Sequence, residues 1–359
     1  MGSSDEDTDQ SSICDKFERD RHVFFFQMMY QMLPTEYQGQ EINRLTLAYF
    51  VISGLHLLGD LACVSVDKEA VIEWVLSFQA HPQDKTAMSH GEFYGFCGSR
   101  TSQFPPIDNG VLSRNCSHLA STYSALSILK IIGFDFSKLG AATILTSMKN
   151  LQQPDGSFMP IHIGAEMDVR FIYCAAAICS MLNDWSGMDR QRAMEYIAKC
   201  QSYDGGFGLV PGSESHGGAT YCAVASLQLM GFIEDDFLLT TQSASIINFP
   251  LLLEWSLQRQ SDDGGYQGRS NKDSDTCYAF WIGGTLKILG AQEFMDRKAL
   301  HDFLLTCQTQ YGGFSKFPSN LPDLYHSYYG ISAFSLLGEP GLTPLCVELG
   351  IGDIAPQPQ

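Results

Sequence analysis

QSYDGGF, residues 201–207, is the stretch on which the fold turns. It returns as QQPDGSF (152–158), QSDDGGY (260–266) and QTQYGGF (308–314). Each copy reads Gln, three residues, Gly, one residue, aromatic, and the copies step by 49, 59 and 48 residues. Gln79 marks an earlier, degenerate copy. Self-similarity at such a period is the mark of a repeat architecture.

A second landmark alternates with the first. Apolar segments end in LLG (Gly59), IIG (Gly133), MLN (Asn183), LMG (Gly231), ILG (Gly290) and LLG (Gly338). Gly and Asn tolerate the left-handed conformation that stops a helix. Each apolar segment is followed by an amphipathic one, such as 189–201 or 296–308. The short apolar runs lie inside helical periodicity, so no strand is expected. The pattern predicts an all-α train of helical hairpins, one helix of each pair apolar all round. An inner ring of the apolar helices inside an outer ring gives an α/α barrel; an open superhelical solenoid is the alternative. Residues 15–350 form the expected single domain, between a disordered acidic N-terminus (1–14) and a flexible tail (351–359).

In a barrel the inner helices run parallel, with their N-termini at one rim. Counting back from the terminators populates that rim. Asp275 and Cys277 lie 15 and 13 residues before Gly290, Asp323 and His326 lie 15 and 12 before Gly338, His216 lies 15 before Gly231, and His118 lies 15 before Gly133. Cys277 and His326 are 49 apart, one repeat step, which puts them on adjacent inner helices. Asp, Cys and His from neighbouring helices suit zinc, whose three protein ligands leave a position open for chemistry. The same residues also read as a helix cap, a small core residue and a core histidine.

Cations gather near these positions: Arg269 and Lys272 in GGYQGRSNK, His216 in SESHGG and Lys316 in GGFSKF. With helix N-termini they suit a diphosphate. Tyr173, Tyr221, Tyr278, Trp281, Tyr328 and Tyr329 fall on the inner helices. An apolar cavity beneath a cationic rim describes a lipid diphosphate site.

Composition narrows the partners. The net charge of -18 argues against nucleic acid and permits a basic protein partner. The 45% hydrophobic content supplies a core, yet no run of about eighteen apolar residues offers a membrane span. The opening MGSSDEDTDQ is neither a secretory signal nor, with Glu6, a myristoylation site. Eleven scattered cysteines suit a reducing, cytoplasmic compartment.

The repeats, together with ESHGG (214–218), GRSNKDSDTCYAFW (268–281) and DLYHSYYG (323–330), resemble the β subunits of protein prenyltransferases. The resemblance spans roughly residues 15–350. It implies an α/α barrel, one catalytic Zn2+, a partner α subunit, and prenyl transfer to the cysteine of a C-terminal Cys-a-a-X motif on clients such as small GTPases. DKFERDRHVFFFQMMYQMLP (15–34) and SRNCSHLASTY (113–123) look most like the type I branch, which uses geranylgeranyl diphosphate and peptides often ending in Leu. So do Thr46, where the farnesyl branch has Trp, and Lys316, where it has an aspartate that helps bind magnesium; Mg2+ is therefore not expected to be required. Tyr329 departs from this, being the farnesyl-type residue where the type I branch has Phe. The resemblance implies Asp275, Cys277 and His326 as metal ligands. It implies His216, Arg269, Lys272 and Tyr278 around the diphosphate, and Arg170, Tyr173, Cys222 and Trp281 along the isoprenoid. Thr46, His118, Ala120 and Phe171 would form the pocket for the last peptide residue, with Tyr329 at the lipid end.

The alternatives are a farnesyl-transferring β subunit, a terpenoid cyclase and a non-enzymatic helical scaffold. A cyclase needs an aspartate-rich motif, which DDFLL (235–239) and SDDGG (261–265) do not supply.

Overall fold

The computed structural model describes residues 16–62, 66–83, 87–101, 115–233 and 246–354. The expected disordered segment 1–14 lies outside them, as do 355–359 of the expected tail.

The helices among the described residues are α1 (Arg19–Gln31), α2 (Arg44–Leu57), α3 (Lys68–Leu76), α4 (Leu119–Ile132), α5 (Ala141–Met148), α6 (Val169–Leu182), α7 (Arg190–Cys200), α8 (Gly217–Leu229), α9 (Phe249–Leu257), α10 (Thr276–Ile288), α11 (Arg297–Cys307) and α12 (Leu324–Leu336). The even-numbered helices pack side by side in chain order, and α12 packs back on α2. That closure decides for a barrel over a solenoid. The odd-numbered helices lie outside: α1 on α2, α3 on α4, α5 and α7 on α6, α9 and α11 on α10. None of the helices is long and apolar enough to cross a membrane.

Burial explains which helix goes where. In α7 only Ala193, Tyr196, Ile197 and Cys200 are buried, one stripe at helical spacing. In α4 eleven residues are buried, from Leu119 to Ile132, so the helix needs neighbours all round. The expected stops hold: Gly133 and Asn183 cap α4 and α6 with φ of 88° and 50°, in the left-handed region.

The repeat motif proves to be a clamp on the next outer helix. Gln152 donates to the Asp189 carbonyl (2.9 Å) and accepts from the Asp189 N–H (2.7 Å), where α7 begins. Gln201 does the same at Asn248 before α9, and Gln260 at Asp296 before α11. The glycine four residues on passes so close to that helix that a Cβ at Gly156 would sit 2.0 Å from the Arg192 carbonyl oxygen. The closing aromatics, Phe158, Phe207, Tyr266 and Phe314, are wholly buried. Gln79 pairs with Phe96 and donates to Leu139 just before α5, which supports its reading as a degenerate copy.

The last copy clamps the beginning of the chain. Gln308 donates to the Lys16 carbonyl and accepts from the Glu18 N–H, and a Cβ at Gly312 would lie 2.0 Å from the Arg21 carbonyl oxygen. Thus α1 serves as the outer helix after the fourth repeat. His22 completes the join. Its Nδ1 accepts from the Gly313 N–H (3.0 Å), and its Nε2 faces Gln308 Oε1 at 2.8 Å.

Two expectations need correction. Leu345–Cys346 (β1) pairs antiparallel with Ile351–Gly352 (β2), so a short strand pair exists. Ile351 is 1% exposed, so ordered chain runs past the boundary expected at 350. The reason is a ring of tyrosines on five inner helices. Tyr221 donates to the Val347 carbonyl, Tyr123 to Leu349, and Tyr49 and Tyr328 to Gly350. Tyr173 joins through Tyr221 at 3.4 Å. These hydroxyls satisfy the carbonyls of an irregular segment inside the ring, which burial would otherwise leave unpaired.

Candidate functional site

Five inner helices start on a residue whose side chain caps them. His118, Asp168, His216 and Asp275 each accept from the N–H two residues on, and Asp323 accepts from the His326 N–H. The capping need places these polar groups at the rim. Asp168 was not anticipated among them.

Asp275 caps α10, Cys277 lies in its first turn, and His326 lies in the first turn of α12. Among the described residues these three form the group able to hold a metal ion, their donor atoms lying within 4.8 Å of one another. His326 Nε2 is 3.2 Å from Asp275 Oδ1, and its Nδ1 is 2.6 Å from Asp323 Oδ2. Asp323 therefore fixes the imidazole with Nε2 toward the cluster, as the outer partners of metal-bound histidines do. Sulfur, nitrogen and carboxylate oxygen at one buried point fit zinc.

Electrostatics agree with a cation site. Burial pushes Asp275 up, but bonds from His326 and the Cys277 N–H outweigh it and hold the carboxyl below its ordinary value. Burial opposes charge on His326, yet Asp275 and Asp323 raise it to about 9. Burial and the Asp275 charge push the Cys277 thiol far up. A bound cation reverses that order and deprotonates a coordinating thiol. Lys316 Nζ stands 3.8 Å from Asp275 Oδ2.

The neighbouring cap is His216. Its Nδ1 accepts from the Gly218 N–H (3.0 Å), so the neutral ring carries its proton on Nε2, 3.1 Å from the Tyr278 hydroxyl. That leaves the phenol hydrogen free to donate outward. Burial, Arg269 and Arg170 lower the His216 pKa; burial and the nearby Cys277 and Asp275 raise Tyr278 to about 12. The Tyr278 ring lies so close to Gly268 that a Cβ there would be 1.9 Å from its Cζ. Arg269 forms an exposed ion pair with Glu214 at 3.3 Å, and Lys272 is exposed.

The remaining candidates fall into two groups. Thr46 reaches Ser124 across α2 and α4 (3.4 Å), and His118, which accepts from the Ala120 N–H, meets the Phe171 ring edge-on at 5.7 Å. Burial and then Arg170 lower His118 to about 4. Deeper lie Tyr173 and Cys222, both buried, and Trp281, which packs on Tyr329 at 4.5 Å. Arg170 touches both groups, its charge acting on His118 and on Cys222. It chelates Asp168 and lies over Phe171.

Sequence reading missed Tyr325 and the role of Asp323. Tyr325 accepts from the Trp281 indole at 3.2 Å and packs edge-on against His326. Asp323 was visible as a cap at the repeat spacing, but its second oxygen acts on a residue one turn away.

Residues 17–351 match the model of the prenyltransferase alpha-alpha toroid domain. The chain is 64% identical over 342 residues to the geranylgeranyl transferase type-1 subunit beta of Arabidopsis thaliana, covering 95% of this chain and 91% of that one. It is 34% identical over 337 residues to the subunit of the same name from Dictyostelium discoideum, covering 90% and 93%. The fold matches the structure of Candida albicans protein geranylgeranyltransferase-I complexed with GGPP, with a TM-score of 0.79 at 24% identity over 94% of this chain and 96% of that one. The chain belongs to the prenyltransferase α/α toroid family.

Proposed function

We propose that this chain is the catalytic β subunit of a heterodimeric type I protein geranylgeranyltransferase. With an α subunit in the cytoplasm, it moves a geranylgeranyl group from its diphosphate to the cysteine of a C-terminal Cys-a-a-X motif, X often Leu. The observation that carries this reading is the Asp275–Cys277–His326 cluster beside the His216–Tyr278 pair. The names of the two relatives above support it. A scaffold needs neither feature.

Asp275, Cys277 and His326 would hold zinc, which when bound makes a coordinating thiol a thiolate. Asp323 holds the His326 ring in register. The substrate sulfur attacks C1 of the lipid while the bond from C1 to the diphosphate oxygen breaks. Negative charge grows on that oxygen, and Tyr278 donates its hydroxyl hydrogen there. The exposed Arg269–Glu214 pair is weakly held, so Arg269 can turn to the diphosphate with Lys272. Lys316 supplies a fixed positive charge at the same corner, which makes magnesium dispensable. The arc of Thr46, His118, Ala120 and Phe171 receives the last peptide residue, and Thr46, small where the farnesyl branch has Trp, also leaves room at the lipid end for the fourth isoprene. Arg170, Tyr173, Cys222 and Trp281 line the lipid, with Tyr329 at its end.

Tyr329 favours a second reading, the farnesyl-transferring enzyme, because tyrosine is the farnesyl-type residue at this position, and its ring packs on Trp281 at 4.5 Å. A competition between farnesyl and geranylgeranyl diphosphate on one peptide ending in Leu separates the two. The longer lipid is expected to win with the wild-type chain, and the shorter with Thr46→Trp, which introduces overpacking of ~1–3 kcal/mol against the fourth isoprene. A wild-type preference for the farnesyl donor would assign the chain to the other branch.

A further inference from the structure

We propose that Arg259 is a positioning residue for the diphosphate: through Ser270 it holds from beneath the turn that carries Arg269 and Lys272. This rests on the reading above that those two cations meet the diphosphate, and it adds a residue that acts through them.

Arg259 breaks the repeat. The residue before each clamp glutamine is Phe78, Leu151, Cys200, Arg259 or Cys307. All five occupy one place in the fold. The carbonyl of each accepts from the N–H just after the closing aromatic, that of Cys97, Met159, Gly208, Gln267 and Ser315 in turn. Four of the five are apolar or thiol side chains no more than 2% exposed, and Arg259 is 6% exposed. Only the copy beneath the Arg269–Lys272 turn carries a charge there.

Core packing does not require that charge, since Phe, Leu and Cys fill the same slot elsewhere. A buried charge without a counter-charge is costly. Arg259 forms no ion pair among the described residues, its hydrogen bonds going to a carbonyl and a hydroxyl. Burial lowers its pKa and the Asp204 charge opposes the shift, yet a guanidinium stays protonated. Asp204 is itself engaged by the Ser215 hydroxyl. The contacts that remain are specific. The guanidinium lies over the Trp255 ring at 5.1 Å, and its Nε donates to the Trp255 carbonyl at 3.2 Å. Both contacts are to the last turn of α9, and they orient the planar fork. Its Nη1 then donates to the Ser270 hydroxyl at 2.7 Å.

Ser270 stands in the middle of the turn. The Lys272 N–H closes it on the Arg269 carbonyl at 3.3 Å, and Asn271 takes a left-handed φ of 59°. Arg269 and Lys272 are exposed on either side of Ser270. Just before them, the Gly268 carbonyl accepts from the Gly217 N–H at the start of α8 (2.8 Å). The turn is thus tied at one end to the helix that His216 caps and at its centre to Arg259. A turn held at two points presents its cations already ordered, and an anion then binds without paying for that order.

The experiment uses the full chain with its partner subunit. Affinities for geranylgeranyl diphosphate, inorganic diphosphate and the uncharged prenyl alcohol are measured beside peptide KM and a melting curve. Arg259→Met and Ser270→Ala should each weaken both diphosphates by about 10-fold, as expected for losing one hydrogen bond to a charged group. Peptide KM and alcohol affinity should not move, whereas a general loosening of the barrel would change both. With Arg269→Ala and Lys272→Ala already in place, Arg259→Met should cost no further diphosphate affinity, because it acts through those side chains. Should Arg259→Met melt early, Ser270→Ala carries the test, since it removes the same bond from an exposed turn. Wild-type diphosphate affinity in Ser270→Ala, or an Arg259→Met loss that persists undiminished without the two cations, would overturn the proposal. If removing Arg269 and Lys272 itself leaves both diphosphate affinities unchanged, the parent reading of the diphosphate site fails, and this inference falls with it.

Discussion

His216 and Asp275 open consecutive inner helices in nearly the same backbone conformation. Their φ and ψ are -139° and 135°, and -140° and 136°, and each accepts a 3.0 Å bond from the N–H two residues on. What differs is the atom left over once the helix is capped. On Asp275 the remaining oxygen faces Lys316, and the capping oxygen also meets His326. On His216 the remaining nitrogen faces the Tyr278 hydroxyl. The repeat supplies the same backbone twice, and the side chain's spare atom decides whether the cap joins the Asp275–Cys277–His326 group or meets the Tyr278 hydroxyl.

Asn substitutions separate the two duties, because Asn caps as well as Asp. Asp275→Asn should keep thermal stability near wild type and lose bound metal, with turnover falling by more than about 100-fold, beyond the loss typical of an outer-shell partner. Metal analysis beside a melting curve checks it; a variant that keeps its metal refutes the ligand role. His216→Asn should slow transfer by roughly 10- to 150-fold, the equivalent of ~1.5–3 kcal/mol for a charge-assisted contact. Peptide KM should stay unchanged; an equal loss there would make His216 a protein-positioning residue. Asp323→Asn retains the cap but weakens the grip on His326, and metal affinity should fall about 10-fold in a chelator titration.

The same contrast between repeats can be carried to the clamps. Only the last one uses a histidine. Burial lowers His22 from its ordinary 6.5 to about 4, although Gln308 opposes the shift. A folded-state pKa below the unfolded one means the contribution is whole above pH 6.5. It is lost as pH falls from 6.5 toward 4, by up to about 3 kcal/mol. Denaturant melts at pH 7 and pH 4.5, wild type against His22→Gln, should show the gap between them narrowing in acid. The smallest effect belongs to Tyr266, the one tyrosine among the four closing aromatics, whose buried hydroxyl has no partner. Tyr266→Phe should leave stability unchanged or raise it by up to ~1 kcal/mol; a clear loss would mean that the hydroxyl has a bound water.

Much of this was readable beforehand because the repeat is a spacing. Counting back from Gly290 and Gly338 put Asp275, Cys277 and His326 at helix starts, and the structure puts them there. Arg170, given to the lipid path on resemblance, chelates Asp168 and lies over Phe171, contacts that no spacing announced. Tyr49 and Tyr123 were not singled out by the sequence pattern. Their hydroxyls acquire a purpose only when segment 345–352 arrives from the far end of the chain.

Helix positions, their stops and their capping residues depend on neighbours within a few residues, so period, glycine and side-chain type suffice to read them. Closure of the ring, the grip of Gln308 on the residues before α1 and the turn of Asp323 toward His326 are different. They require segments brought together by packing, and in a hydrogen bond a displacement of an ångström removes the interaction. Local pattern carries no information at that scale; a packed core does, because its side chains leave few alternative positions.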